Sequence, residues 1–269
     1  MRSAQSVAAG GPLIRGILGR VGGYTLYFFG RWGEGVLLLT RTLRLTLSRP
    51  FYLHNLFYQI EFIGIHSMPV VLLTAIFTGM VLALQVFSGF ERFGAESLTG
   101  TVVGYSIVRE LGPVLVGLMV AGRAGAAMAA ELGTMRVTQQ IDALWALSAN
   151  PVRYLIVPRF WAGVVAMPLL VVIGDAVGIL GGYVVSVKML GANPVVYWDS
   201  TFDFMELWDV YSGLIKATVF GGIIAFVASF QGYTTTGGAR GVGRATTRAV
   251  VGGATLILAA NYFITYLVV

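Results

Sequence analysis

Apolar residues gather in five long blocks along the chain, separated by segments where charge and proline return. A helix needs about 20 apolar residues to cross ~30 Å of hydrocarbon, and each block reaches that length. The first span covers residues 67–89, within a stretch free of formal charge between Glu61 and Glu91. The second covers 98–122 and carries Arg109 and Glu110 near its centre. The third, 160–187, is interrupted only by Asp175, and the fourth, 210–232, contains Lys216. The fifth, 249–269, has no charge. The pattern predicts an all-α membrane protein, with a five-span domain over residues 66–269.

Upstream, residues 24–40 are apolar but short, and they contain Arg31 and Glu34. At 100° per residue, Arg31, Glu34, Arg41, Arg44 and Ser48 fall within an arc of about 140°. That distribution describes a helix lying in the membrane interface. Arg49-Pro50 is expected to end it before a second amphipathic stretch leads into span one. Residues 1–65 are therefore read as an N-terminal interfacial amphipathic region, either a simple anchor or a functional element.

Composition sharpens the class. Charged residues make up 11% of the chain, against about 25% in a soluble domain. With a mean hydropathy of +0.80, this excludes a soluble enzyme or a DNA-binding module. The 18 Lys and Arg exceed the 12 Asp and Glu by 6. Seven arginines precede span one, and Arg123, Arg136, Arg153 and Arg159 lie between spans two and three. Arg240, Arg244 and Arg248 lie between spans four and five, whereas the other two loops hold only Arg92 and Lys188. The alternation fits a cytoplasmic N-terminus and an external C-terminus. The excess positive charge thus reads as topology and not as nucleic-acid binding. Residues 1–15 show no apolar h-region, so targeting is expected from the spans themselves.

Motifs for catalysis are missing. A phosphate-binding P-loop needs G-x-x-x-x-G-K-[ST], and the only lysines, Lys188 and Lys216, follow Val187 and Ile215. The glycines from Gly237 to Gly243 read as a flexible cytoplasmic turn. Cysteine is absent, His54 and His66 are the only histidines, and neither H-E-x-x-H nor G-x-S-x-G occurs. No metal site, no cofactor and no catalytic residue are expected on this chain.

Charges inside a bilayer cost roughly 2.5–3.5 kcal/mol each on insertion scales and mark functional candidates. Arg109 and Glu110 are adjacent, so they point about 100° apart and do not simply neutralise each other. Glu110 lies about 18 Å and Lys216 about 9 Å from the outer ends of their spans. A lysine stem narrows that gap, so a Glu110–Lys216 pair or a shared polar cavity is expected, either as a functional site or as a structural weld. Gly174, Gly178 and Gly182 form overlapping G-x-x-x-G units, suited to internal packing or to a dimer seam. For Asp175 the expected partner is backbone or Arg123. Between spans two and three, Val137, Ile141, Leu144, Trp145 and Ser148 recur at helical spacing, and Asn150-Pro151 ends the repeat. Such a short amphipathic helix suits a membrane surface or a partner's groove.

The run VRELGPVLVGLMVAGRAGAAMAAELGTMRVTQQIDALWALSANPVRYLIVPRFWAGV, residues 108–164, strongly resembles the MlaE family of ABC-transporter permeases. LIKATVFGG and GVGRATTRAVV resemble the same family. The resemblance implies a homodimeric permease for glycerophospholipids in the inner membrane of a two-membraned bacterium. A separate cytoplasmic ABC ATPase would bind ATP and Mg. A periplasmic MCE-domain protein would exchange the lipid, and a STAS-domain subunit would join the ATPase in some members. The helix over residues 137–147, with Val137, Ile141, Leu144 and Trp145, would be the coupling helix seated in the ATPase. Arg109, Glu110 and Lys216 match positions near the lipid headgroup, and Leu82, Phe90 and Phe93 match wall positions of span one. Phe90 and Phe93 depart from the family's residues while keeping that wall apolar, and Asp175 has no role to transfer. Two other readings stand beside this one. One is an ion-coupled carrier using Glu110 or Asp175, although no internal repeat is visible; the other is a membrane anchor or scaffold.

Overall fold

A computed structural model describes residues 11–46, 48 and 52–268. The chain divides into two compact units, Met1–Leu47 and Ser48–Val269. In the first, α1 (Gly11–Thr46) is one helix, on which Arg31 and Glu34 pair at 3.1 Å across a single turn. The expected break at Arg49-Pro50 lies outside the described residues.

The second unit contains α2 (Leu53–Ile63), a tight turn at Ile65–Ser67 and α3 (Met68–Glu91). A long helical run, α4 (Glu96–Val137), leads to the short α5 (Gln140–Ala146). The chain continues through α6 (Val152–Met189), α7 (Pro194–Asp203), α8 (Leu207–Tyr233) and α9 (Gly238–Val268). Among the described residues, five helical runs are long and apolar enough to cross a membrane, with α2 and α3 counting as one. The protein is an all-α membrane protein.

These runs overshoot the apolar windows because polar ends continue the same backbone hydrogen-bond ladder. α9 begins well before residue 249, so Arg240, Arg244 and Arg248 stand on a helix and not in a loop. The expected glycine turn shrinks to Gly237 and Gly238, whose φ values of 88° and 66° suit glycine. α7 was not anticipated. Asn193 caps it by accepting from the Val195 and Val196 amides at 2.9 and 3.4 Å, and Pro194 follows at the first helical position. It docks on the start of α4, where Thr101 Oγ1 donates to Ser200 O at 2.7 Å. Tyr197 donates to Ile179 O at 3.2 Å, and burial pushes its hydroxyl above the ordinary tyrosine range, keeping it a donor.

The core lies where α4, α6, α8 and α9 meet, around the fully buried Met128, Met167, Phe220 and Ile257. Close helix approach depends on glycine. A Cβ on Gly79 of α3 would fall 1.8 Å from the Gly178 carbonyl of α6. The G-x-x-x-G glycines thus pack against α3, α4 and α7 of the same chain.

Candidate functional site

The site begins with a fault in a helix. Pro113 has no N–H, so the Arg109 carbonyl four residues earlier loses its α-helical donor. The preceding turn, Ile107–Leu111, is wound more loosely, and the Gly112 amide donates five residues back to Ile107 O. Such π turns recur at functional sites. Lys216 of α8 supplies the missing donor, its Nζ lying 2.8 Å from Arg109 O. Gly213 makes the approach possible, since a Cβ there would fall 2.4 Å from the Val108 carbonyl.

Lys216 is completely buried, and a buried ammonium needs a counter-charge. Glu110 Oε1 provides it at 2.7 Å, which is the expected pair. α9 completes the shell of Glu110: Asn261 Nδ2 donates to Oε2 at 3.2 Å, and Thr265 Oγ1 donates to Oε1 at 3.2 Å. One carboxylate therefore ties together α4, α8 and α9. Arg109 turns away, as adjacent helical residues must, and pairs with Asp209 of α8 at 3.1 Å. It also donates to the Tyr105 hydroxyl and lies over that ring. Asp209 in turn accepts from the Glu206 amide at 3.2 Å, closing the capping box that starts α8.

The four charges sum to zero, and their exposure is graded. Side-chain exposure is 36% for Glu110, 18% for Arg109, 7% for Asp209 and 0% for Lys216. Glu110 is thus the most open of the four charges and Arg109 the next. Lys216 stays behind Glu110 and fixes its position. Next to Thr265 opens a recess lined by Tyr262, Thr265, Tyr266 and Leu267. Among the described residues, no three His, Cys, Asp or Glu side chains gather as a metal site would require.

The other expected site residues lie elsewhere. Leu82 packs against the cluster containing Ala83, Ile107 and Val108. Phe90 stands in the last turn of α3, and Phe93 is 83% exposed in the loop that follows. The segment 137–147 is not one helix. Val137 ends α4, Gln139 takes a left-handed φ of 60°, and α5 starts only at Gln140. Ile141 is fully buried within this chain and Leu144 is half-buried, whereas Trp145 is 54% and Leu147 77% exposed. Asp175 differs from expectation as well. Arg123 bonds to Phe62 O and Ser67 Oγ instead, and Asp175 Oδ1 has no hydrogen-bond partner. That oxygen lies against Gly112, where a Cβ would come within 1.7 Å of it.

Asp209, Tyr105, Asn261 and Thr265 were not foreseen. Asn261 and Thr265 had a signal, being polar residues four apart in an apolar final stretch. Asp209 had one too, three residues after Glu206 at a helix start.

The described residues thus form a polytopic helical bundle with a compensated cluster of charges beside an open recess. The particular family follows from sequence: residues 56–267 match the family described as Permease MlaE, and the chain belongs to that family. It is 49% identical over 255 residues to a probable ABC transporter permease protein of Rickettsia typhi, covering 95% of this chain and 98% of that one. It is 39% identical over 209 residues to the intermembrane phospholipid transport system permease protein MlaE of Haemophilus influenzae, covering 77% and 80% respectively. It is 41% identical over 205 residues to the chloroplastic protein trigalactosyldiacylglycerol 1 of Arabidopsis thaliana, covering 76% of this chain and 59% of that one.

Proposed function

We propose that this chain is the membrane subunit of an ATP-driven transporter that moves glycerophospholipids between a bacterial inner membrane and a periplasmic MCE-domain protein, serving outer-membrane lipid asymmetry. The observation that carries the reading is the graded charge cluster, in which Glu110 is held rigidly by α8 and α9 yet remains 36% exposed. A zwitterionic headgroup presents both signs of charge. Its cationic end faces Glu110 and its phosphate faces Arg109, while the acyl chains lie along apolar wall residues such as Leu82, Phe90 and Phe93. Lys216 acts as a positioning residue for Glu110.

ATP and Mg would be bound by a separate ABC ATPase, with α5 and its C-terminal cap as the contact through the exposed Trp145 and Leu147. α5 stands between the ends of α4 and α6, and α4 carries Arg109 and Glu110. A push on α5 therefore has a continuous helix along which to reach the site. Two copies of the chain would enclose the lipid, with the N-terminus cytoplasmic and the C-terminus periplasmic, and a STAS-domain subunit would accompany the ATPase.

Mass spectrometry of lipids co-purified with the assembled complex tests the substrate class. Glycerophospholipid in stoichiometric amount is expected, and its absence would contradict the reading. Trp145→Glu with Leu147→Glu should abolish ATPase association while leaving the stability within about 1 kcal/mol of the parent, because both positions are exposed. Retained association would remove α5 as the contact. Full transport after Glu110→Gln but none after Asp175→Asn would favour the ion-coupled carrier, the reading that the partnerless Asp175 Oδ1 keeps in view.

A further inference from the structure

Arg123 is a cation within the same helix as Arg109 and takes no part in the Glu110 cluster. It stands in the second π turn of α4, Ala121–Gly125, and is half-buried. Both of its hydrogen bonds leave from one terminal amino group, to Phe62 O at 2.6 Å and to Ser67 Oγ at 2.9 Å. The guanidinium lies over the Phe62 ring, 4.8 Å from its centroid. Its Nε and its other amino group donate to nothing among the described residues. Nor are those groups sealed inside the protein, unlike Nε of Arg159. Among the described residues no carboxylate comes within ion-pair distance, and Glu61 is the sole acidic residue of the elbow from α2 to α3.

The depth of this arginine is fixed by its partner. α3 has 24 residues, a rise of about 36 Å, so Ser67 lies one bilayer thickness away from Glu91. Arg123 therefore sits where hydrocarbon gives way to headgroups. The surroundings suit an amphiphile. Phe57, Ile65, Val70 and Leu73 are exposed along the elbow, His66 flanks the same Phe62 ring at 6.1 Å, and Gly122 faces open space. A guanidinium with a free fork of N–H groups matches the oxygens of a phosphate in a bidentate manner.

We propose that Arg123, at the α2–α3 elbow, binds the phosphate of a membrane phospholipid at a second site, about 20 Å along α4 from Glu110. One amino group of Arg123 holds the elbow, and the remaining N–H groups hold the ligand. The site extends the lipid-carrying reading without depending on it, because its ligand contacts none of the Glu110 cluster.

The test uses the assembled complex in phosphatidylcholine vesicles containing radiolabelled phosphatidylglycerol, with the photo-crosslinker p-benzoylphenylalanine installed at Gly122. A second preparation carries it at Tyr266, beside the Glu110 site. Arg123→Gln should lower lipid crosslinking at Gly122 about tenfold, the loss expected when a charge-assisted hydrogen bond is removed. Crosslinking at Tyr266 should stay unchanged, which shows that the variant is folded and reports the Glu110 site separately. If Arg123→Gln does not fold, Arg123→Lys is read instead; it keeps a donor for Phe62 O but loses the fork, and a smaller drop is expected. Unchanged crosslinking at Gly122 in a folded variant means bulk lipid contact only and overturns the proposal. Displacement of the lipid signal by excess inorganic phosphate would assign the site to free phosphate and overturn it as well.

Discussion

Lys216 and Arg123 perform the same local task in very different surroundings. Each donates to a backbone carbonyl: Lys216 to Arg109 O, which Pro113 deprives of its α-helical donor, and Arg123 to Phe62 O near the end of α2. Lys216 is fully buried and neutralised by Glu110, so its donors are committed inside the protein. Arg123 is half-buried, has no carboxylate partner and keeps N–H groups open. A cation in a membrane helix is therefore not one kind of signal. Where the charge is compensated and sealed it shapes a neighbour, and where it is open its N–H groups are left available to a ligand.

The largest effect that sharpens this contrast comes from exchanging the charges of the pair. Glu110→Lys with Lys216→Glu restores the Coulombic sum but places a carboxylate against the Arg109 carbonyl, which needs a donor. The double variant should be destabilised by at least the ~3–5 kcal/mol of a broken buried pair, read as a lowered thermal midpoint in detergent. Wild-type stability would show that the Arg109 carbonyl does not matter. Next comes Lys216→Met. It removes the sealed cation, but Glu110 keeps water, Asn261 and Thr265, so the cost falls to about 3 kcal/mol. Arg123→Gln should cost less, about 1 kcal/mol, because Arg123 is only half-buried and its removal strands no buried charge. Equal losses for Lys216→Met and Arg123→Gln would erase the distinction. Thr265→Val is the smallest, with about 0.5–1 kcal/mol and weaker lipid retention, since Asn261 and Lys216 still hold Glu110.

The five spans were legible because 20-residue apolar blocks have few other uses, and the Glu110–Lys216 pair was legible because isolated membrane charges seek partners. What escaped depended on local chemistry that a hydrophobic pattern does not carry. The seam between α4 and α5 lies at Gln139, whose left-handed φ of 60° is unusual for a residue other than glycine. It moves Val137 to another helix and leaves Ile141 facing inward. α7 lies between the third and fourth apolar blocks, where no hydrophobic repeat marks it and only Asn193-Pro194 signals its start. Asp209 lies just before the fourth apolar block, and its capping role in α8 is what brings it to Arg109. The π turn at Ile107–Leu111 has no pattern of its own, and only Pro113 pointed to a carbonyl in need of Lys216.

The central claim is that Glu110, held from behind by Lys216 and from the side by α9, meets the lipid headgroup. Phospholipid per assembled complex, measured by mass spectrometry for the parent and for Glu110→Gln, tests it most directly. Glutamine keeps one carbonyl oxygen to accept from Lys216 and Thr265, while its NH2 replaces the oxygen that faces Asn261, and the comparison is read on complex that remains assembled. The account predicts about a tenfold loss of bound phospholipid on the assembled complex, with a lowered unfolding midpoint because the buried Lys216 loses its counter-charge. Undiminished phospholipid on a folded Glu110→Gln complex would contradict it.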